Sequence, residues 1–258
     1  MKLLKKYKIF LFNPYPGIGG ADTTISKFVN SINHNKFDVE YLSLKAVKYN
    51  KNKRTTYTRL KSKSTFFGFF EIYRLIKSDK HPKKIFFSMQ YFVNVWTIIF
   101  IKLILGIKIF IYDINHLEEL KYYKNFKDYL KKIIIYYLVK IFYSYADIVA
   151  GNSRELAKTL EKHTNCKVCT LYNPCFDKIT KKNRRDYFNN KINILCISRF
   201  EDQKDHGTLL KAIKHTNIKK NIILTLVGHG SKEGEIKKYI KTHNIRAKIF
   251  NNTNKLNK

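Results

Sequence analysis

The chain has 258 residues, of which 44% are hydrophobic, and its 51 Lys and Arg against 19 Asp and Glu give a formal net charge of +32. The hydrophobic content excludes a disordered chain and supports the packed core of one large domain or two small ones. The positive surplus indicates an anionic partner: a phosphorylated substrate, an anionic membrane or, least favoured, nucleic acid. Compositional drift is the alternative explanation, because Lys, Asn, Ile and Tyr are enriched together throughout.

The first residues lack the pattern of an export signal, because their apolar run is short and ends at Asn13 and two prolines. The most apolar stretch, 91–112, is interrupted by Asn94 and by lysines, so it predicts a buried helix and strand rather than a membrane span. Cys166 and Cys169 form a C-x-x-C pair in an alternating run, which places the two thiols on opposite faces of a strand. We therefore expect reduced thiols of a cytosolic protein and no metal site.

Short apolar runs separated by segments of helical periodicity predict an α/β arrangement over residues 1–176. The predicted strands are 8–13, 37–44, 84–89, 108–113, a run just before Ser153, and 166–172. The predicted helices run from a cap at Asp22 or Thr23 to about residue 33, then over 66–78 and 90–105, and onward from a cap at Ser153. Residues 45–64 are polar and basic, and they predict an exposed connection.

A segment rich in Tyr and Lys, 117–145, follows His116 and has helical periodicity. Its apolar residues fit a stripe that faces the core, which is the favoured interpretation. The alternative is an interfacial helix whose lysines reach lipid head groups.

Residues 177–190 are polar and basic without apolar periodicity, and they predict a linker between domains 1–176 and 191–258. The second domain is predicted to form a β-α-β-α unit. Its elements are strands at 194–198 and 222–227, helices at 206–214 and from the Gly228-His229-Gly230 turn to about 243, and a short strand at 247–250.

Two cations follow the first strand of this unit. Arg199 and Lys204 lie where a parallel strand ends and a helix begins, at the edge of the sheet that favours anions. A guanidinium can bind two phosphate oxygens at once, and an ammonium adds a mobile positive charge. The pair therefore suits a diphosphate.

The run ISRFEDQKDHGTLLKA resembles the "GR(L/F)xxxKG…LLxA" signature of the family 4 glycosyltransferases, and LVGHGSKEGEIK is similar to their next glycine-containing segment. The resemblance implies the GT-B fold, with two Rossmann-like, doubly wound α/β domains. It also implies that a sugar passes from a nucleotide-diphosphate donor to a surface glycan with retention of configuration, and that neither a metal nor another cofactor is needed.

Other parts of the resemblance supply further site residues. Gly19 and Gly20 match the glycine loop whose backbone approaches donor and acceptor, and His116 matches a His that faces the donor sugar. Asn173 and Pro174 match the hinge between the domains. The implied partners are a nucleotide-sugar donor and a glycan or lipid-linked acceptor. The implied location is the cytoplasm, with peripheral contact at the inner membrane face as a further hypothesis.

The sequence departs from the family at its end. No pair of glutamates separated by seven residues follows Lys248, so we expect an incomplete second domain. The alternative function is a catalytically inactive remnant, or one half of a split enzyme that acts as a binding module. A basic nucleic-acid binder is a third hypothesis, but no recognition motif supports it.

Overall fold

The computed structural model describes residues 6–17, 19–47, 52–123, 125–174, 192–218 and 221–251. It separates into two compact units, Met1–Ile179 and Thr180–Lys258. The predicted linker, 177–190, and Cys175 lie outside the described residues.

Unit 1 is an α/β unit whose described strands form a parallel sheet in the order β3-β2-β1-β4-β5-β6-β7. The strands are β1 (Tyr7–Phe12), β2 (Phe37–Ser43), β3 (Thr55–Arg59), β4 (Lys84–Met89), β5 (Lys108–Asp113), β6 (Ile148–Gly151) and β7 (Val168–Thr170). The strand order reverses between β1 and β4, and the carboxyl ends of strands at such a point form the crevice in which doubly wound folds bind ligands.

The α-helices of unit 1 connect these strands. They are α1 (Gly20–Ser31), α2 (Thr65–Ser78), α3 (Tyr91–Thr97), α4 (Phe126–Phe142) and α5 (Arg154–Thr164). A π-helix, Ile98–Ile104, continues α3, and two 3₁₀ helices, Leu117–Lys121 and Tyr143–Tyr145, flank α4.

Apolar side chains cover both faces of the first sheet, because neighbouring residues of each strand point to opposite sides. Phe10 and Phe12 join a cluster with residues of α2, α3 and α5. Ile9 and Leu11 join a second cluster with residues of α1. Unit 1 is therefore doubly wound, as predicted.

Three sequence predictions in unit 1 need correction. The N-cap of α1 is Gly19, and Asp22 lies inside the first turn, where its carboxylate accepts a hydrogen bond from the Gly19 N–H. The connection 45–64 contains the edge strand β3, which pairs with β2 and packs Tyr57 on Tyr41. The segment 117–145 is divided, because the Asn125 side chain caps a new helix by accepting from the Asp128 N–H.

Unit 2 has a parallel sheet in the order β10-β9-β8 among its described residues. The strands are β8 (Ile192–Ile197), β9 (Ile222–Val227) and β10 (Ala247–Phe250), and the helices are α6 (His206–His215) and α7 (Glu233–Thr242). A 3₁₀ helix, Asp202–Lys204, precedes α6. One apolar cluster joins the sheet to both helices, with Leu224 and Leu226 at its centre and Leu210 and Ile236 from the helices.

Candidate functional site

The structure offers two loop clusters for a ligand, one at the carboxyl edge of each sheet. The carboxyl ends of parallel strands are where α/β folds bind ligands.

In unit 2, the loops after β8 and β9 contact each other closely. The Phe200 N–H donates to the His229 carbonyl at 3.0 Å, and the Lys232 N–H donates to the Phe200 carbonyl at 2.9 Å. The Glu201 carboxylate accepts from the Ser231 N–H at 3.2 Å and from its hydroxyl at 2.8 Å. These bonds hold the Arg199 loop against the Gly228-His229-Gly230 turn.

The glycines of that turn make the contact possible. A Cβ at Gly228 would lie 1.9 Å from the Ser198 carbonyl oxygen, and one at Gly230 would lie 2.4 Å from that of Phe200. Gly228 also has φ +156°, which L-residues adopt rarely. The two loops can therefore pack backbone to backbone only with glycine at these positions.

Arg199 and Lys204 both lie on this loop cluster and both are exposed. In the part of unit 2 that the structure describes, neither side chain makes a hydrogen bond or an ion pair. The nearby carboxylates are already engaged: Glu201 binds Ser231, and Asp202 lies 3.3 Å from the Lys232 ammonium. The two predicted cations thus remain available to an external anion.

The start of α6 is capped by the Asp205 side chain and is therefore not an open anion site. The Asp205 carboxylate accepts from the Thr208 N–H at 3.1 Å and from its hydroxyl at 2.7 Å, and these bonds lower the pKa of Asp205. The buried His206 Nε2 lies 3.0 Å from the Ser198 hydroxyl, and burial lowers the pKa of His206. This pairing ties α6 to the end of β8 and fixes the base of the Arg199 loop.

A cavity of about 220 Å³ lies between the starts of α6 and α7. Glu201, Asp202, Asp205 and Glu235 line it together with Lys232. Four carboxylates beside one ammonium disfavour a diphosphate, so the exposed cations of the loop are the better candidate for that ligand.

In unit 1, Gly19 and Gly20 end the connection between β1 and α1, as the N-cap and first residue of α1, and both are exposed. The Asp22 carboxylate accepts hydrogen bonds from the Gly19 N–H at 3.2 Å and from the Asn13 side-chain amide at 3.1 Å. A Cβ at Gly20 would meet no atom within 4 Å, so the packing of the described chain does not itself require glycine there. The loop therefore has free space beside its backbone.

His116 lies after β5 and has a structural role in this geometry. Its Nδ1 accepts from the Glu118 N–H at 3.3 Å and so caps the 3₁₀ helix Leu117–Lys121. Its Nε2 is buried and has no hydrogen-bond partner among the described residues. Because Nδ1 is the acceptor, Nε2 carries the proton of the neutral ring and remains an unused donor.

A buried polar network beneath the His116 loop escaped the sequence analysis. Asp113, at the end of β5, accepts from the Tyr143 hydroxyl at 2.8 Å and from the Asn94 amide at 3.0 Å, while Ser88 donates to Asn94 at 2.8 Å. Burial raises the pKa of Asp113 to about 8, and the two hydrogen bonds offset this only in part. Asp113 is therefore mostly protonated at neutral pH.

The same region anchors the loop through its backbone. The Tyr91 hydroxyl donates to the Asn115 carbonyl at 2.6 Å, and Asn152 donates from its side chain to the Ile114 carbonyl at 2.7 Å. Two signals in the sequence could have revealed this network: a polar Asn94 inside an apolar helix, and an Asp at the end of a buried strand.

Gln90 is a further feature that sequence reasoning missed. It lies at the carboxyl end of β4, beside the reversal of strand order, is exposed and has φ +79°. A non-glycine residue in this region costs of order 1–3 kcal/mol and is found preferentially at ligand sites.

Comparison with known proteins finds a partial family match and a shared fold. Residues 177–254 match the family model described as Glycosyl transferases group 1. The lipopolysaccharide outer core galactosyltransferase WaaB, in its apo form, is similar over 96% of this chain and 68% of that chain, with 16% identity and a TM-score of 0.66. The chain has the GT-B fold.

Two further GT-B structures agree. HepE from Anabaena, in complex with UDP and glucose, is similar over 95% of this chain and 69% of that chain, with 12% identity and a TM-score of 0.67. WaaG, a glycosyltransferase involved in lipopolysaccharide biosynthesis, is similar over 96% and 71% of the two chains, with 12% identity and a TM-score of 0.63. No curated protein matches the chain.

The loop cluster with Arg199 and Lys204 lies within the residues that this family model matches. Within the described ranges, no group of three or more His, Cys, Asp or Glu side chains is placed to hold a metal ion. Nor does any helix in those ranges have the length and apolarity needed to cross a bilayer.

Proposed function

We propose that the chain is a retaining glycosyltransferase that transfers a sugar from a nucleoside-diphosphate sugar to a surface glycan such as lipopolysaccharide, capsule or exopolysaccharide. The observation that carries the proposal is a pair of exposed cations, Arg199 and Lys204, which have no partner among the described residues and lie on a glycine-supported loop cluster within the matched residues 177–254. The UDP bound to HepE, which has the same fold, supports a nucleoside diphosphate as the group that these cations bind.

The chemistry follows from where charge develops. As the bond between the anomeric carbon and the β-phosphate oxygen breaks, its electron pair stays on the diphosphate. Arg199 can hold two of the phosphate oxygens, and Lys204 adds a second positive charge. Stabilisation of this developing charge lowers the barrier to transfer.

Unit 1 supplies the other proposed contacts. The exposed backbone at Gly19 and Gly20 would admit a sugar or an acceptor, and the His116 Nε2–H would donate to a donor-sugar hydroxyl after a small movement of its loop. The acceptor would be a glycan or a lipid-linked glycan, used in the cytoplasm at the inner membrane face.

Calorimetry with UDP and GDP tests the donor site. We expect saturable binding by the folded chain, and binding about a hundredfold weaker or more for the Arg199→Ala, Lys204→Ala variant, because each lost charge-assisted bond costs about 1.5–3 kcal/mol. The matched control is Lys214→Ala, Lys241→Ala, which removes the same charge from the last turns of α6 and α7. Equal binding by both variants, or none by folded wild type, contradicts the proposal.

A second candidate function is that of one half of a split glycosyltransferase, a binding module that needs another polypeptide. The exposed apolar side chains of β8 favour it, because Leu195 and Ile197 are 55% and 56% exposed at a sheet edge of the described structure. A transfer assay with labelled donor distinguishes the two functions. Binding of UDP without transfer by the purified chain supports the second candidate, and transfer supports the first.

A further inference from the structure

Helix α4 of unit 1 has an apolar stripe on the face that points away from the core. The helix buries Ile135 and Val139. On its outer side lie Phe126, Leu130, Ile134, Tyr137 and Ile141, which are exposed by 71%, 42%, 55%, 56% and 56%. Their spacing of four, four, three and four residues places them within about 80° of one another around the helix axis. These five side chains form the α4 stripe.

Basic side chains border the stripe. The α4 sequence contains four lysines and one aspartate, and the aspartate, Asp128, is 3.3 Å from the Lys132 ammonium. Lys127, Lys131 and Lys140 are exposed. Just before the helix, Tyr122 and Tyr123 add aromatic surface that is 75% and 58% exposed. The surface therefore combines large apolar groups with positive charge.

A surface helix of a soluble protein normally has polar residues on its outer face. An apolar outer stripe with flanking lysines and aromatic residues is the pattern of a helix that lies in a membrane interface. The lysines specify an anionic lipid surface, since each contributes about 1 kcal/mol of attraction there. A second copy of the chain is a poor occupant, because pairing across a two-fold axis brings lysines against lysines in a chain of net charge +32.

We propose that α4 binds parallel to an anionic bilayer, with the α4 stripe at the acyl boundary and its lysines among the lipid phosphates. The preferred sequence interpretation, core packing, applies only to the inner face of the helix. The docking surface also connects to the candidate site, because Tyr143, directly after α4, donates to Asp113 at 2.8 Å at the base of the His116 loop.

Vesicle flotation of the full chain tests the proposal. We expect binding to vesicles of phosphatidylcholine with phosphatidylglycerol and little binding to phosphatidylcholine alone. Ile134→Gln, Ile141→Gln keeps the net charge and the helix propensity. It should weaken binding about tenfold or more, because two exposed isoleucines no longer enter the apolar layer.

The matched control is Leu195→Gln, Ile197→Gln, which removes two equally exposed aliphatic side chains from unit 2 and should bind like wild type. Circular dichroism establishes that each variant is folded. Equal binding by wild type and the α4 variant would assign binding to net charge alone and overturn the proposal. So would a wild-type dimer that the α4 variant abolishes. Vesicle binding needs no nucleotide, so this test and the UDP test fail independently.

Discussion

The carboxyl edges of the two sheets use their polar groups in opposite ways. At the edge of unit 1, Asp113, Asn94 and Tyr143 are buried, mutually hydrogen-bonded and largely uncharged. At the edge of unit 2, Arg199 and Lys204 are charged and exposed, and within the described chain they are unpaired. The first edge uses its polar groups to hold its own loops, and the second leaves them available to a ligand. Candidate ligand contacts in unit 1 are accordingly backbone groups and His116 rather than free cations.

The largest effect is expected from Gly228→Ala in unit 2. The added Cβ would lie 1.9 Å from the Ser198 carbonyl oxygen, so the turn must move away from the Arg199 loop. We expect a loss of about 3 kcal/mol or more in the free energy of unfolding, together with loss of UDP binding. Urea denaturation and calorimetry measure the two effects.

The control for this variant is Gly234→Ala in α7, where a Cβ meets no atom within 4 Å. Because alanine favours helix, we expect a gain of about 0.5–1 kcal/mol and unchanged UDP binding. Equal stability of the two variants would show that the close loop contact in unit 2 is not required.

A smaller and pH-dependent effect is expected from Asp113→Asn in unit 1. The asparagine can accept from Asn94 through its Oδ1 and donate from its amide to the Tyr143 oxygen, so its stability at pH 6 should lie within about 1 kcal/mol of wild type. Asp113→Ala removes the acceptor of the Tyr143 hydroxyl and leaves Asn94 only its longer bonds to Tyr143 and Tyr112, so it should cost about 2–4 kcal/mol.

The sign of the pH dependence follows from the raised pKa. The pKa of Asp113 is about 8 in the fold against an ordinary 3.8, so the folded state holds its proton more tightly than the unfolded state. This contribution is complete below pH 3.8, is lost progressively as pH rises to about 8, and changes no further above that. Asp113→Asn should therefore gain stability relative to wild type across this window. Parallel stability curves for the two proteins in urea denaturation from pH 5 to 9 would contradict the buried, protonated network.

Substitutions at His116 distinguish a structural role, capping of the 3₁₀ helix, from a role in binding the donor sugar. Replacement by Ala removes the acceptor for the Glu118 N–H and should cost about 0.5–1 kcal/mol, whereas Asn retains a cap and should cost less. If the Nε2–H also binds the donor sugar, His116→Asn should lower kcat/KM about tenfold while stability stays close to wild type. Unchanged kinetics in the folded Asn variant would restrict His116 to capping.

The sequence predicts the strands of this fold well, because buried parallel strands appear as short apolar runs. The bounds of β4, β5 and β10 agree with the predicted ranges. Strand β3 was missed because TTYTR is polar and short, so it lacks the apolar run that marks the buried strands. The division of 117–145 depends on Asn125, a cap that apolar periodicity alone does not reveal.

The candidate site was predictable in part. The motif placed Arg199 and Lys204 after a strand, which the structure reproduces. Within the described residues the two cations form no ion pair because the nearby carboxylates of Glu201 and Asp202 bind other groups. One of those groups, Ser231, is 30 residues from Glu201, so the sequence alone does not reveal the contact. The Asp113 network likewise joins Asn94 to Tyr143, 49 residues apart, so it becomes visible only once the sheet is assembled.

The smallest effect on stability, and the sharpest test of the comparison, is expected from Gly20→Ala. Nothing within 4 Å opposes the new methyl group, and alanine favours the first turn of α1, so stability should rise by a few tenths of a kcal/mol, about 0.5 at most. If the space beside Gly20 admits a substrate, the same methyl group should raise KM in a transfer assay severalfold while UDP affinity, set by Arg199 and Lys204, stays unchanged. If KM does not change, the polar groups at the edge of unit 1 hold only its own loops, and the ligand contacts of unit 1 must be sought at Gln90, where an exposed side chain is held at positive φ.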